Sequence, residues 1–199
     1  MPIDASSLNP DPIRQLENWL EEATDAGVAL PNAFALATAD GDGMPSVRFV
    51  LLHGLDAAGL RFYTNRASRK GRDLAINPWA AAAFWWAALG RQARVTGPIR
   101  MLSDEDSLAY WQTRPRGAQL SAAASAQSQE IGSRAELEAL VRAIDERHPG
   151  DVPLPPTWGG YVIDPRTMEL WESRPDRLHD RVEYRRGADG SWHPRRLQP

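Results

Sequence analysis

Apolar residues recur every third or fourth position near the start of the chain: Ile13, Leu16, Trp19, Leu20 and Ala23 form one helical stripe. Asp11 supplies an N-cap, Pro12 suits the first helical position and Gly27 stops the run. A helix over 11–27 is predicted, preceded by a polar stretch, 1–10, expected to be flexible. Beyond it the apolar runs shorten and turn residues separate them. Runs 34–39 and 46–53 flank Gly41-Asp42-Gly43, and 60–64 follows the 56–59 turn. Runs 80–88 and 92–99 form a hairpin across Leu89-Gly90-Arg91. After Pro-rich 152–156 come strand candidates 160–163, 168–172 and 181–185, and Asp189-Gly190 makes a last turn before Trp192.

Helix signals interrupt these strands. Ser68 caps 69–76, which stops before Asn77-Pro78. Ser103 opens another helix with Asp104, Glu105 and Asp106 in its first turn, ending at Thr113 before Arg114-Pro115. Ser133 and Glu136 form a capping box for a third, running to about Arg147. Strands joined by tight turns, with helices inserted rather than alternating, predict a mainly β (α+β) fold: an antiparallel barrel with helical additions. One domain, 1–199, is expected, with 103–147 as its helical insertion. No solenoid period, dinucleotide-binding G-x-G-x-x-G or phosphate-binding G-x-x-x-x-G-K-[ST] pattern is present.

Composition narrows the function. A 42% hydrophobic content supports a sizeable core, and a net charge of −3 gives no global attraction to nucleic acid or an anionic membrane. There is no apolar run long enough to span a bilayer, and the first eleven residues do not read as a signal peptide, so the cytoplasm is the expected location. The absence of cysteine removes disulfides, thiolate metal sites and a cysteine nucleophile, and the four histidines lack paired metal-ligand spacing. Eight tryptophans suit core packing and also the walls of a site for a planar ligand.

Three groups of basic residues carry candidate chemistry. Arg69 and Lys70 oppose the macrodipole of the helix they begin, an arrangement that makes sense if an anion such as phosphate sits at that end; two solvated cations would read the same way. Tyr110 and Arg114, four apart, share a helix face and can hold a second phosphate, although a ring packed on an arginine stem gives the same spacing. Arg177, His179 and Arg181 alternate, so an extended segment would crowd them on one face, with Asp176 and Asp180 available to pair with them.

A series of short segments ties these groups together: Arg48-Phe-Val-Leu-Leu-His53, Phe62-Tyr-Thr-Asn-Arg-Ala-Ser-Arg-Lys70, Gly90-Arg-Gln-Ala-Arg-Val-Thr-Gly97 and Tyr110-Trp-Gln-Thr-Arg-Pro-Arg116. They continue with Ala126-Gln-Ser128, Trp158-Gly-Gly-Tyr161, Leu170-Trp-Glu-Ser-Arg-Pro-Asp-Arg-Leu-His-Asp-Arg181 and Arg196-Leu-Gln-Pro199. In this order and spacing they resemble the pyridoxamine/pyridoxine 5′-phosphate oxidase family. The resemblance implies an FMN-binding split β-barrel of antiparallel Greek-key type, a homodimer with flavin at its interface, and oxidation of a small phosphorylated B6 vitamer by O2. By the same resemblance Arg48, Val50, Leu51, Tyr63, Thr64, Arg69, Lys70, Gln92, Trp171 and Arg181 hold FMN, with Gln127 and Ser128 reaching in from the partner subunit. His53, Tyr110, Arg114 and Ala118 match the substrate-phosphate site, and Arg177 and His179 the catalytic pair over the substrate ring.

The chain departs from the family pattern at two of these positions, where His53 replaces the usual Lys and Ala118 the usual Ser. A cation and a hydroxyl are thereby exchanged for a group mostly neutral at pH 7 and a methyl. A related FMN oxidase of a non-phosphorylated ring compound, as in phenazine biosynthesis, is the alternative, with similar wording at Asn77-Pro-Trp79 and Arg195-Arg-Leu-Gln-Pro199. A non-catalytic flavin or haem carrier on the same barrel is the third reading; Arg177 and His179 argue against it.

Overall fold

The computed structural model describes residues 3–4 and 6–199. Its elements are α1 Pro12–Asp25, β1 Ala33–Ala39, β2 Pro45–Leu51, β3 Gly54–Asp56, β4 Gly59–Asn65, α2 Arg69–Ile76, β5 Trp79–Trp86 and β6 Arg91–Met101. They are followed by α3 Asp104–Thr113, α4 Arg116–Ala124, α5 Arg134–Arg147, β7 Trp158–Ile163, β8 Thr167–Glu172, β9 Asp180–Arg186 and β10 Trp192–Arg196. None of these helices is long and apolar enough to cross a membrane.

Every strand pairing is antiparallel, and the sheet runs β10-β9-β8-β6-β5-β1-β2. The curl comes from β6, whose first half pairs with β8 and whose last residues pair with β7; β7 in turn pairs with β4. Gly97 lies where β6 changes partner. A Cβ there would fall inside the Asp164 carbonyl, so only glycine lets the β7–β8 turn approach this closely.

The curled sheet encloses Phe34, Leu36, Phe62, Phe84, Val95, Ile163, Leu170 and Val182, all buried. One side is closed by α1: its predicted stripe buries Ile13, Leu16, Trp19 and Ala23, with Trp19 edge-on to Trp86 at 6.2 Å. The Asp11 side chain accepts the Ile13 amide as the expected N-cap. Within the stretch expected to be flexible, Ile3 and Leu8 are buried against the core and the Tyr184 hydroxyl donates to the Asn9 carbonyl; Met1, Pro2 and Ala5 lie outside the described residues. A second cluster, Trp111, Leu120, Val152 and Trp158, joins the helices of the 103–147 insertion to the sheet.

The expected helix starts at Ser68, Ser103 and Ser133 are present, each with the serine oxygen accepting an amide of the first turn. The expected extended segment through Arg177 is not. Pro175 starts a single 3₁₀ turn, and Asp176 and Arg177 adopt left-handed φ of 56° and 61°, so the strand begins only at Asp180. Arg177, His179 and Arg181 therefore do not alternate along one strand face. Asp180 pairs instead with Arg174 and Arg196, at 2.6 and 2.7 Å.

Candidate active site

A cavity of about 960 Å³ opens between β2, β4, the start of α2 and the helices α3–α5. Its cationic end is built by short-range rules. The Ser68 cap leaves amides of the first turn of α2 facing outward, and one of them, that of Arg69, donates to Ser128 Oγ at 3.2 Å. Arg48, on β2, donates to Thr38 Oγ1 at 2.7 Å and Ser46 Oγ at 2.7 Å, with Asp73 3.7 Å away. Lys70 is buried yet donates only to neutral oxygens: Gln127 Oε1 at 2.7 Å, Thr64 Oγ1 at 3.1 Å and Ser68 Oγ at 3.2 Å. Burial first, then the neighbouring Arg48, pushes the Lys70 ammonium down to about 8, against the pull of Asp73.

The other end is aromatic. Tyr110, Tyr63 and Trp158 lie with their rings nearly parallel in a triangular cluster, centroids 3.9, 5.4 and 6.1 Å apart. The Arg114 guanidinium lies 4.8 Å from the Trp158 ring, and its Nη1 is buried with no hydrogen-bond acceptor. Arg114 is one of the residues lining the cavity, and a guanidinium there suits an anionic ligand group. The Tyr110 hydroxyl sits 2.9 Å from His53 Nδ1. Partial burial, then Arg114, lowers the His53 pKa, so the ring is neutral near pH 7. Ala118, in the first turn of α4, and Val50 and Leu51 complete this wall.

Eleven of the expected residues thus meet in one cavity: Arg48, Val50, Leu51, His53, Tyr63, Thr64, Lys70, Tyr110, Arg114, Ala118 and Gln127. Arg69 and Ser128 sit beside it, joined by their hydrogen bond. Gln127 and Ser128 do not need a partner subunit to arrive there, because the α4–α5 connection folds back over the same chain's β4 and α2. Ser128 holds a left-handed φ of 73° in doing so, a strained conformation for a non-glycine residue.

Gln92, Trp171, Arg177, His179 and Arg181 are not part of that cavity wall. Register places Trp85, Gln92, Trp171 and Arg181 in one row across β5, β6, β8 and β9. His179 packs on Trp171 at 4.6 Å, and Arg181 donates to Glu169 at 2.8 Å. Thr38, Asp73 and Trp158 escaped the sequence reading of the site. The signal for Asp73 was its place three residues after Lys70, on the same face of α2.

Cations at one end, and an aromatic wall with a guanidinium at the other, suit a phosphorylated planar cofactor, and the curled sheet is that of FMN-binding split barrels. Residues 20–148 match the family model described as pyridoxamine 5′-phosphate oxidase, and residues 158–199 match that of the pyridoxine 5′-phosphate oxidase C-terminal dimerisation region. The chain belongs to the pyridoxamine 5′-phosphate oxidase family. It is 49% identical to pyridoxine/pyridoxamine 5′-phosphate oxidase 1 of Ralstonia nicotianae, covering 99% of this chain and 93% of the relative. The pyridoxine/pyridoxamine 5′-phosphate oxidase of Deinococcus deserti is also 49% identical, covering 98% and 92%. Among solved structures, PhzG of Burkholderia lata, in complex with tetrahydrophenazine-1-carboxylic acid, superposes with a TM-score of 0.94 at 33% identity, covering 100% of this chain and 98% of that one. FMN is the cofactor and the protein is a homodimer.

Proposed function

We propose that this chain oxidises pyridoxamine or pyridoxine 5′-phosphate to pyridoxal 5′-phosphate, with O2 as final acceptor, H2O2 as product and ammonia released from the amine. The observation that supports this reading is one cavity lined by cations at two separate ends: Arg48 and Lys70, which we assign to the flavin phosphate, and Arg114, which we assign to the substrate phosphate. FMN, when bound, supplies the hydride acceptor that O2 then reoxidises.

The chain's own residues bind and orient. Arg48, Arg69, Lys70 and the α2 amides neutralise the cofactor phosphate, while Thr64, Gln127 and Ser128 fix the donors around it. Tyr110 and Arg114 hold the substrate phosphate beside His53 and Ala118, and Val50, Leu51 and Tyr63 form apolar wall. A second protomer completes the site by bringing its Gln92–Trp171–Arg181 row, with Arg177 and His179, over the open side of the cavity. Exposed Phe49 and Trp85, 77% and 55% accessible in one protomer, supply apolar surface for that docking. Arg177 and His179 then orient the substrate ring for the loss of hydride from its C4′ carbon. The absence of cysteine suits a reducing compartment, and we place the reaction in the cytoplasm.

The test is turnover by the FMN-loaded protein of pyridoxamine 5′-phosphate against unphosphorylated pyridoxamine. Aldehyde and peroxide from the ester are expected; neither appearing from it would refute the proposal. His53 and Ala118, together with the close superposition on PhzG, favour one second reading, oxidation of a non-phosphorylated ring compound. Preference for the unphosphorylated substrate would support that reading.

A further inference from the structure

Beneath the cationic end of the cavity lies a carboxylate that the chemistry above leaves without a task. Asp73, on α2, is 5% exposed, and its Oδ2 accepts from Thr38 Oγ1 at 2.6 Å. That same threonine oxygen accepts from Arg48 Nη1 at 2.7 Å, and Arg48 Nη2 stands 3.7 Å from Asp73. Asp73 is thus tied to one phosphate-facing cation through a shared hydroxyl. Lys70, the other, lies one helical turn away and is 7% exposed. A buried ammonium bonded only to neutral oxygens favours its uncharged form unless an anion is near. The charged groups acting on it are Arg48 from β2 and Asp73 from α2, with Arg69 acting on Arg48 in turn; among the described residues of β4 and the α4–α5 connection its partners are neutral Thr64 and Gln127. Asp73 is therefore the one anion in the set.

We propose that Asp73 is a positioning residue for the cofactor phosphate: through Thr38 it orients Arg48, and by its charge it keeps Lys70 protonated in the cavity wall. This rests on the reading that Arg48 and Lys70 bind the phosphate of FMN. With Lys70 titrating at about 8, FMN binding is strongest below that pH. Above it, binding must take up a proton, and affinity falls by about tenfold per pH unit. Asp73→Asn keeps the shape and the hydrogen-bonding capacity but removes the charge that raises the Lys70 pKa. The fall then begins about one pH unit lower, the smallest shift expected from losing a nearby opposite charge.

FMN-loaded protein is diluted at a series of values between about pH 7 and pH 9, and released flavin is read by its fluorescence. Wild type is expected to hold FMN evenly until about pH 8 and then release it. Asp73→Asn should already weaken roughly tenfold between about pH 7 and 8, and Lys70→Met should bind weakly with no break. If Lys70→Met binds FMN like wild type, the phosphate site itself is misassigned. If Lys70→Met weakens binding but Asp73→Asn breaks at the wild-type pH, the role given to Asp73 is overturned. Should Asp73→Asn fail to fold, the double variant Lys70→Met/Asp73→Asn, in which cation and carboxylate leave together, is expected to fold; its failure too would show that Asp73 serves the fold rather than the lysine.

Discussion

Replacing His53 with lysine probes how the cavity meets the substrate's anionic group. The imidazole is held 2.9 Å from the Tyr110 hydroxyl, and burial together with Arg114 lowers its pKa, so near pH 7 it brings no charge to the wall. A lysine there would add a cation, and a hydrogen bond to a charged group contributes about 1.5–3 kcal/mol. Arg114 opposes a second cation before substrate arrives, so the lower end of that range applies. About 1.4 kcal/mol is a tenfold change, and KM for pyridoxamine 5′-phosphate should drop by about that factor. The assay is steady-state peroxide release, with unphosphorylated pyridoxamine as control; its KM should not move. The pH dependence has a definite sign. A histidine with a lowered pKa is neutral above that value, so the advantage of His53→Lys is full near pH 7–8 and shrinks as pH falls through the His53 pKa. An equal gain for both substrates, or none for the ester, would refute the placement of the substrate phosphate beside His53.

Three further outcomes are expected. Arg177→Ala should lower kcat/KM by about a hundredfold, the loss that a misplaced substrate can cause, while flavin absorbance after gel filtration stays that of wild type; lost flavin would place Arg177 at the cofactor instead. Phe49→Asp puts a charge on the exposed apolar surface of β2, so sedimentation should show monomer with reduced FMN content, and an intact dimer would move the interface elsewhere. Gly97→Ala forces a methyl into the Asp164 carbonyl and should cost about 3 kcal/mol, read as a lower midpoint of thermal unfolding; an unchanged midpoint would mean that the β7–β8 turn yields easily.

Much of the barrel was legible because its signals are local. The stripe from Ile13 to Ala23 needed only helical spacing, and Ser68, Ser103 and Ser133 announced their helices by capping chemistry. Elements whose signal depends on tertiary context escaped. Strand β10 contains Pro194, which removes a ladder donor and is tolerated because β10 is an edge strand. Helix α4 follows Pro115 with no side-chain cap, and three-residue β3 is too short for any periodicity. In the candidate site, family wording located most of the cavity residues but gave Gln127 and Ser128 to the partner subunit, whereas they reach Thr64 and Arg69 within one chain. Gln127 lies 57 positions from Lys70, and spacing alone could not show that their side chains are 2.7 Å apart in one chain. Alternation suggested a basic strand face at 177–181, where Pro175 instead made a turn.

The change of partner along β6 also orders events during synthesis on the ribosome. Arg91 through Thr96 need Thr167–Glu172 to satisfy their outer edge, and Ile99–Met101 need residues of β7. Both partners emerge only after α3, α4 and α5 have been made. Until then the nascent chain carries a hairpin of β5 and β6 with one edge of β6 unpaired, the kind of template to which a neighbouring chain can add. Closing the barrel is therefore a late, non-local step, and its slowness follows from the length of chain that must be looped out first. A truncation after α5 would leave that edge permanently open, trading a folded enzyme for an aggregating one.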